Sequence, residues 1–441
     1  MTAWTYYPEL LANPVPRYTS YPTAAEFGGK VGRKELEEQL ALIEPEQPIS
    51  LYVHIPYCHE ICWYCGCNTG AANKAQRLQS YLETLHTEIA LVAARLGGRG
   101  RVRRIAFGGG SPNAISPDQF AVLLGDLRAA FEADNAQLSI ELDPRSLSEP
   151  WFEAIGSAGI RRASLGVQTL DPKVQRAIGR WQPLDLIKVA VTELRKAGVE
   201  SLNFDLMYGL PYQGLAELSA TLAKTMEMRP DRIALFGYAH VPHLIPRQNR
   251  IDGGALPNAA LRFAQAELGH NKLVHGRYDP VGFDHYARPH DPMALAARQG
   301  RLRRNFQGFT DDRAEVLLGL GASAISQFPE LIVQNEKNAG RYRVRVSSGI
   351  LPAEHGIART QEDQRRGRII EQILCDGEAP VADLLDQDMR HRLHPFLERG
   401  LVTIEYGRLR LPDYGRCYAR VIASLFDQYR QPEARRFSSA I

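Results

Sequence analysis

Between Leu51 and about Tyr238 the chain alternates short β-branched and apolar runs with longer helical patterns, and this alternation limits its possible folds more than any other feature. Leu51 to Ile55, Arg104 to Phe107, Leu138 to Leu142, Ala163 to Val167, Leu202 to Leu206 and Ile233 to Phe236 each read as a buried strand. Between them, Leu82, Leu85, Ile89, Val92 and Leu96 recur along one helical face. Ser116, Pro117 and Gln119 supply an N-cap, a first-turn proline and a capping-box partner for the next helix. A helix from Leu184 to Ala197 stops at Gly198. Six strand–helix units in succession require right-handed crossovers and a parallel sheet. Such a sheet curls into a partial (β/α)6 barrel or lies open, and periodicity does not choose between them.

In either form, functional residues belong at the carboxyl ends of the strands. The candidates fall there: a cysteine loop after the first strand, Gly108-Gly109-Gly110-Ser111 after the second, Glu141 and Asp143 at the end of the third, Gln168 at the fourth, Asp205 at the fifth and Tyr238-Ala239-His240 at the sixth. Three successive glycines let a ligand approach the backbone and leave amides free to bond it. The first 50 residues read as an irregular extension and 51–360 as the catalytic domain. From 361 to 441, charged helices, a hairpin around Thr403 and Leu409 and a final helix read as a small, mostly helical, winged-helix-like domain covering the site.

Cys58, Cys62, Cys65 and Cys67 lie within ten residues of a 441-residue chain whose other cysteines are Cys375 and Cys417. The spacing CxxxCxxC suits a cubane iron–sulfur cluster held by three thiolates, with one iron left open for chemistry. A structural zinc site competes, but no second CxxC or HxxxH supplies its other half. Disulfides compete less well, because the N-terminal stretch lacks a basic segment followed by an apolar run; reduced thiols and a cytoplasmic setting are expected. No segment approaches about 18 consecutive apolar residues, so no membrane span is expected. A composition of 44% hydrophobic and 23% charged residues is that of an ordinary globular protein, and a net charge of +3 argues against a nucleic-acid partner.

An open iron would bind a ligand that chelates through amino and carboxylate groups, and here the chain resembles the radical S-adenosylmethionine superfamily. The string Cys58-His59-Glu60-Ile61-Cys62-Trp63-Tyr64-Cys65-Gly66-Cys67 is similar to its oxygen-independent coproporphyrinogen III oxidase branch. So are Arg17-Tyr18-Thr19-Ser20-Tyr21-Pro22-Thr23, Gly166-Val167-Gln168, Asp205 to Pro211, Asp284 to Pro289, Arg304 to Gly308 and Gly321 to Ser326. The resemblance implies a radical SAM partial barrel. It also implies oxidative decarboxylation of two propionates of coproporphyrinogen III, with a [4Fe-4S] cluster, two molecules of S-adenosylmethionine and an external electron donor and acceptor. A monomer is expected.

Carried over by position, the resemblance implies that Cys58, Cys62 and Cys65 ligate the cluster, while Cys67 is needed without being a ligand. Tyr52, Tyr64, Gly109, Glu141 and Ile325 match positions that hold a first S-adenosylmethionine. Gly110, Ser111, Gln168, Arg180, Asp205 and Ala239 match positions that hold a second. Ser111 and Tyr64 stand where the family more often has threonine and phenylalanine. Arg298, Arg301, Arg303 and Arg304, with Arg17 and Arg288, are candidate partners for the substrate carboxylates, His54 reads as a hydrogen-bonded core residue, and Cys375 and Cys417 as buried small hydrophobes. A heme-binding chaperone of the same superfamily and another tetrapyrrole-modifying radical enzyme remain the alternatives.

Overall fold

The computed structural model of the chain describes residues 3–72 and 75–430. All six expected strands form: β1 (Pro48–Ile55), β2 (Arg101–Gly109), β3 (Gln137–Leu142), β4 (Arg162–Gln168), β5 (Ser201–Tyr208) and β6 (Arg232–Gly237). They pair in chain order and in parallel. The sheet is larger than the sequence implies. Beyond β6 lie β7 (Asp279–Val281) and β8 (His285–Ala287), and on the other flank β9 (Val316–Leu320), β10 (Ile325–Gln327), β11 (Leu331–Asn335) and β12 (Ala353–Ala358), in the order β12-β11-β10-β9-β1-β2-β3-β4-β5-β6-β8-β7. Strand β9 runs parallel to β1, so the parallel run has seven strands.

Alternation along the strands sorts the two faces. In β5, Leu202, Phe204 and Leu206 are fully buried, whereas Asn203 and Asp205 point the other way. Side chains from β1 through β6, including Ser50, Ala106, Glu141, Ser164, Asp205 and Phe236, line one cavity of about 350 Å³. Only a curled sheet brings its first and sixth strands to one lumen, which settles the choice between open sheet and partial barrel.

The flanking helices form for the reasons legible in the sequence. Ala75–Leu96 buries Leu82, Leu85, Ile89, Val92 and Leu96. Pro117–Phe131 starts from a capping box in which Ser116 Oγ accepts the Gln119 N–H at 3.1 Å and Gln119 Oε1 accepts the Ser116 N–H at 2.9 Å. Leu184–Lys196 ends before Gly198 at φ +93°.

The first 50 residues are not wholly irregular: α1 (Arg33–Ala41) buries Leu36 and Leu40, one turn apart, and Glu35 reaches back to the Gly32 N–H. Toward the C-terminus, helices Gln361–Asp376 and Gln387–Glu398 precede the expected hairpin, Thr403–Glu405 with Arg408–Arg410, and Glu378–Pro380 adds a third strand. The expected final helix is a single short one, Ala419–Ala423, flanked by 3-10 turns, with 431–441 outside the described residues. The two ends of the chain are stitched together. Tyr418 donates to the Thr5 carbonyl at 2.7 Å, Tyr18 to Asp427 at 2.9 Å and Arg420 to the Val15 carbonyl at 2.7 Å. Among the described residues no helix is long and apolar enough to cross a membrane.

Candidate active site

Cys58, Cys62, Cys65 and Cys67 lie on the loop between β1 and the helix Ala75–Leu96, at the carboxyl end of the sheet, and all are free thiols. Trp63 N–H bonds to the Ile178 carbonyl at 3.1 Å, fixing the middle of the loop against the segment after β4. Cys62 is buried, and its Sγ faces two guanidinium groups: Arg180 Nη1 at 3.2 Å and Arg145 Nη2 at 3.4 Å. The Cys65 thiol, hydrogen-bonded with Cys67, is brought down to about 6. Burial pushes Cys58 up to about 12, and the Cys65 hydrogen bond followed by burial pushes Cys67 well above the thiol range. Cys58 interacts with the Cys62 and Cys65 charges, so three thiols share one electrostatic site. Among the described residues no three such side chains close on a single metal ion. Thiols on one loop at CxxxCxxC spacing, with guanidinium donors on Cys62 and the Cys67 N–H on Cys65, fit an iron–sulfur cluster.

Glu141 and Tyr52 meet over Gly108, where an added Cβ would lie 2.7 Å from Glu141 Oε2 and 2.9 Å from the Tyr52 hydroxyl. Gly109 N–H donates to Glu141 Oε2 at 3.2 Å. Burial and then the Asp205 charge push the Glu141 carboxyl up to about 7. Tyr52 stacks edge-on against Phe306 and bonds to His54 Nδ1 at 3.2 Å. His54, whose other nitrogen reaches Ser323 Oγ at 3.3 Å, is the hydrogen-bonded core residue expected, and burial takes it down to about 4. Ile325 sits beside Gly319, the residue paired in register with Tyr52. Tyr52, Gly109, Glu141 and Ile325 are therefore neighbours, and Tyr64 stands on the cysteine loop near Arg180 and Cys62.

The glycine run lies packed against neighbouring protein. Its amides are not free: Gly109 bonds Glu141, Gly110 the Ile55 carbonyl at 2.9 Å, and Ser111 the Tyr57 carbonyl at 2.8 Å. Glycine is required because protein crowds it. A Cβ on Gly109, at φ +112°, would sit 2.6 Å from the His54 ring, and one on Gly110 2.6 Å from the Tyr57 carbonyl oxygen. Ser111 is buried and its hydroxyl donates to Asn113 Oδ1 at 2.5 Å.

Gln168 and Arg180 converge around Gly166, each with a nitrogen 3.1 Å from where a Cβ would stand there. Gln168 has φ +65° at an irregularity between β4 and β5. Asp205 does not end its strand. It lies three residues before Tyr208 and projects into the lumen, where Ser164 Oγ at 2.9 Å and Asn203 Nδ2 at 2.8 Å donate to it. The apolar alternation of β5 runs past the point where the sequence alone places its end. Ala239 lies on the loop after β6.

Asp143, expected at the end of the third strand, and two residues missed by sequence reasoning, Arg145 and Gln248, organise the rim. Asp143 and Arg145 form an ion pair at 2.6 Å, and Asp143 also pairs with Arg180 at 3.1 Å. Burial alone would raise the Asp143 carboxyl, but Arg180 and Arg145 hold it below the usual range. Gln248 is buried; its Nε2 donates to the Tyr64 carbonyl at 2.9 Å and the Ala239 carbonyl at 3.1 Å, joining the cysteine loop to the loop after β6. The turn Asp143-Pro144-Arg145 carried a signal, whereas Gln248 carried none.

The arginine expectation is largely overturned. Arg288 lies at the opposite end of the barrel, its N–H on the Asp231 carbonyl just before β6 begins, because β8 runs antiparallel to β6. Arg298 pairs with Asp279 and Arg303 with Glu371, while Arg301 is exposed. Arg304 is held by the Tyr18 and Arg17 carbonyls and stacks on Phe283 and Phe309; its Nη1 is buried without a protein partner among the described residues. Arg17 alone reaches the rim, donating to the Gly237 carbonyl at 2.7 Å. Cys375 is buried as expected, but Cys417 is half-buried and lines a small cavity with Arg17, Asp284 and Arg420.

A curled parallel sheet whose first strand runs into a three-thiol loop facing a lined lumen defines the radical S-adenosylmethionine class, and residues 52–224 match the model of the Radical SAM superfamily. The chain is 40% identical over 440 residues to the oxygen-independent coproporphyrinogen III oxidase of Bradyrhizobium diazoefficiens, covering 97% of each. It is 36% identical over 432 residues to that of Escherichia coli, covering 95% of this chain and 94% of the other. The solved structure of the Escherichia coli coproporphyrinogen III oxidase, described as a radical SAM enzyme, superposes with a TM-score of 0.89 at 34% identity, over 97% of this chain and 100% of that one. The chain belongs to the oxygen-independent coproporphyrinogen III oxidase family. Membership implies an iron–sulfur cluster and S-adenosylmethionine.

Proposed function

We propose that this chain converts two propionate side chains of coproporphyrinogen III to vinyl groups without oxygen, giving protoporphyrinogen IX. The observation that carries the reading is the three-thiol loop above a lumen into which Glu141 and Asp205 project, in a chain whose relatives share this architecture end to end. Each conversion removes a hydrogen atom and one further electron from the propionate, releases carbon dioxide and leaves a vinyl group; an external acceptor takes the surplus electron. When bound, the cluster and S-adenosylmethionine supply a 5′-deoxyadenosyl radical.

Cys58, Cys62 and Cys65 would hold the cluster, and Cys67, beside Cys65, completes the loop without ligating it. Tyr52, Tyr64, Gly109, Glu141 and Ile325 would hold one S-adenosylmethionine. Glu141 accepts hydroxyl hydrogens, Ile325 offers an apolar face, and Gly109, already bonded to Glu141, orients that carboxylate. Gly110, Ser111, Gln168, Arg180, Asp205 and Ala239 would hold a second molecule. Arg180 presents a fixed positive charge for a carboxylate, and Asp205 accepts hydroxyl or ammonium hydrogens. Within the described residues, 3–50 and 361–430 would cover the rim of the central domain and exclude water from a monomer, a role supported by the Arg17 bond to Gly237 and the bonds of Arg304 and Arg420 to the N-terminal segment.

The test is anaerobic incubation of the iron–sulfur-reconstituted protein with coproporphyrinogen III, S-adenosylmethionine, a strong reductant and an electron acceptor. Protoporphyrinogen IX and 5′-deoxyadenosine, both lost in Cys62→Ser, are expected. Cleavage of S-adenosylmethionine with no decarboxylated tetrapyrrole, or tight heme binding in its place, would reject the reading.

A further inference from the structure

The contacts of Cys62 go beyond holding a loop. Two guanidinium groups aim at one sulfur, Arg180 Nη1 at 3.2 Å and Arg145 Nη2 at 3.4 Å. Both are almost wholly buried, their side chains 6% and 8% exposed, and the Asp143 carboxylate braces one against the other. Asp143 is itself fixed at its backbone: its N–H donates to Asn113 Oδ1 at 3.0 Å and its carbonyl accepts from Asn113 Nδ2 at 2.9 Å. Arg145 also clasps the loop from outside, through the Glu60 carbonyl at 3.2 Å and Glu60 Oε2 at 2.8 Å. Arg180 falls within the set read above as holding S-adenosylmethionine. Arg145 does not; its Nη2 gives one hydrogen to Asp143 Oδ2 at 2.6 Å and shares the other between the Glu60 carbonyl and the Cys62 sulfur.

We propose that Arg145 is a positioning residue that raises the reduction potential of the cluster held by Cys62. The inference rests on the reading of Cys62 as a cluster ligand. Taking the cluster from its 2+ to its 1+ state adds one electron and no proton, and the electron comes from an external one-electron reductant. A fixed cation and a hydrogen bond at a ligand sulfur stabilise the more negative state, so reduction becomes easier. Burial strengthens the effect, because little water lies between guanidinium and sulfur to screen it. The guanidinium does not titrate in the accessible range, so its contribution is the same at pH 7 and pH 9. Asp143 offsets part of the charge and takes one Nη2 hydrogen, while the second Nη2 hydrogen stays within reach of the sulfur.

The test is an EPR-monitored redox titration of the reconstituted full chain without tetrapyrrole, with iron and sulfide counted per chain. In Arg145→Gln, at a poise where half the wild-type cluster is reduced, the reduced-to-oxidised ratio is expected to fall about tenfold, which is about 59 mV for a one-electron couple. A fall of twofold or more supports the proposal, and a smaller change with full cluster content overturns it. Should Arg145→Gln not retain its cluster, Arg145→Met, which removes the charge and the donors and keeps an unbranched stem, is titrated by the same criterion. Glu60→Gln is the control: it removes the charge of the outer clasp and leaves the Glu60 carbonyl, Asp143 and Cys62 contacts. Its midpoint is expected to match the wild type or lie higher. An equal negative shift in that variant would assign the effect to loop looseness and overturn the proposal. A wild-type chain with no EPR-active cluster would reject the functional reading itself, whereas an intact cluster that fails to decarboxylate tetrapyrrole would reject that reading and leave the potential measurement standing.

Discussion

Tyr342 donates its phenolic hydrogen to Glu88 at 2.6 Å, joining two residues 254 positions apart in the chain. Glu88 also accepts from the Gly321 N–H at 2.7 Å and from Asn335 Nδ2 at 2.8 Å, so one buried carboxylate ties the helix after the cysteine loop to the turn before β10 and to the end of β11. Glu88→Ala strands three buried donors and is expected to cost roughly 3 kcal/mol or more in chemical denaturation.

The same carboxyl makes stability depend on pH. Burial pushes Glu88 up to about 7 against its hydrogen bonds, from an ordinary value of 4.5. A carboxyl raised in the folded state stabilises fully below its unfolded pKa, and that contribution is lost as pH rises through the folded value. Relative to Glu88→Gln, the wild type is expected to lose about 3 kcal/mol between pH 4.5 and 7, a figure set by about 1.4 kcal/mol per pKa unit. Equilibrium unfolding of both proteins across that range checks it; parallel curves would show that the Glu88 carboxyl titrates alike in the folded and unfolded states.

Glu141 titrates near neutrality for a different reason, its burial being reinforced by Asp205 across the lumen. If its carboxylate accepts hydroxyls of S-adenosylmethionine, binding tightens as pH rises from 6 to 8. A gain of about tenfold is expected for a group half-ionised near 7, and Glu141→Gln is expected to abolish the pH dependence. Anaerobic equilibrium binding at three pH values distinguishes the outcomes.

Gly109→Ala introduces a Cβ against the His54 ring at a φ that L residues rarely adopt. A loss of roughly 3 kcal/mol is expected, combining backbone strain with overpacking. Thermal unfolding of the reconstituted protein measures it.

Gln248→Ala frees the Tyr64 and Ala239 carbonyls from their common donor. Affinity for S-adenosylmethionine is expected to fall about tenfold, the equivalent of one buried hydrogen bond or two. The melting temperature should change little, because Gln248 spans two loops at the rim rather than the core. Isothermal titration and calorimetry on one preparation separate these effects.

Arg288→Ala, at the far end of the barrel, is expected to leave the KM for the tetrapyrrole unchanged, whereas Arg17→Ala at the rim is expected to raise it several-fold. Steady-state kinetics of the two variants test this placement.

The parallel strands and their capped helices were legible because apolar alternation and cap residues are local signals. Strand β9 was not, since Val316–Leu320 reads as one more apolar run and its place beside β1 depends on a pairing across most of the chain. The cysteine loop stood out because thiol spacing is chemistry written in order. The glycine run marks a close approach in the sequence, but only the structure shows that His54, Tyr57 and Glu141 are among the groups that approach. The arginines misled because charge in sequence carries no direction: the antiparallel turn into β8 sends Arg288 to the wrong end, and Arg304 folds inward onto Phe283 and Phe309.

The place of β9 also bears on how the chain matures as it is synthesised. β1 acquires β2 as a neighbour early, yet its other edge waits for Val316–Leu320. Until those residues emerge, the strand that feeds the cysteine loop is held on one side only, and a nascent chain lacking them exposes an unpaired edge next to reactive thiols. Truncation before β9 therefore removes more than a flank of the sheet, because it leaves the thiol-bearing end of the protein unfinished.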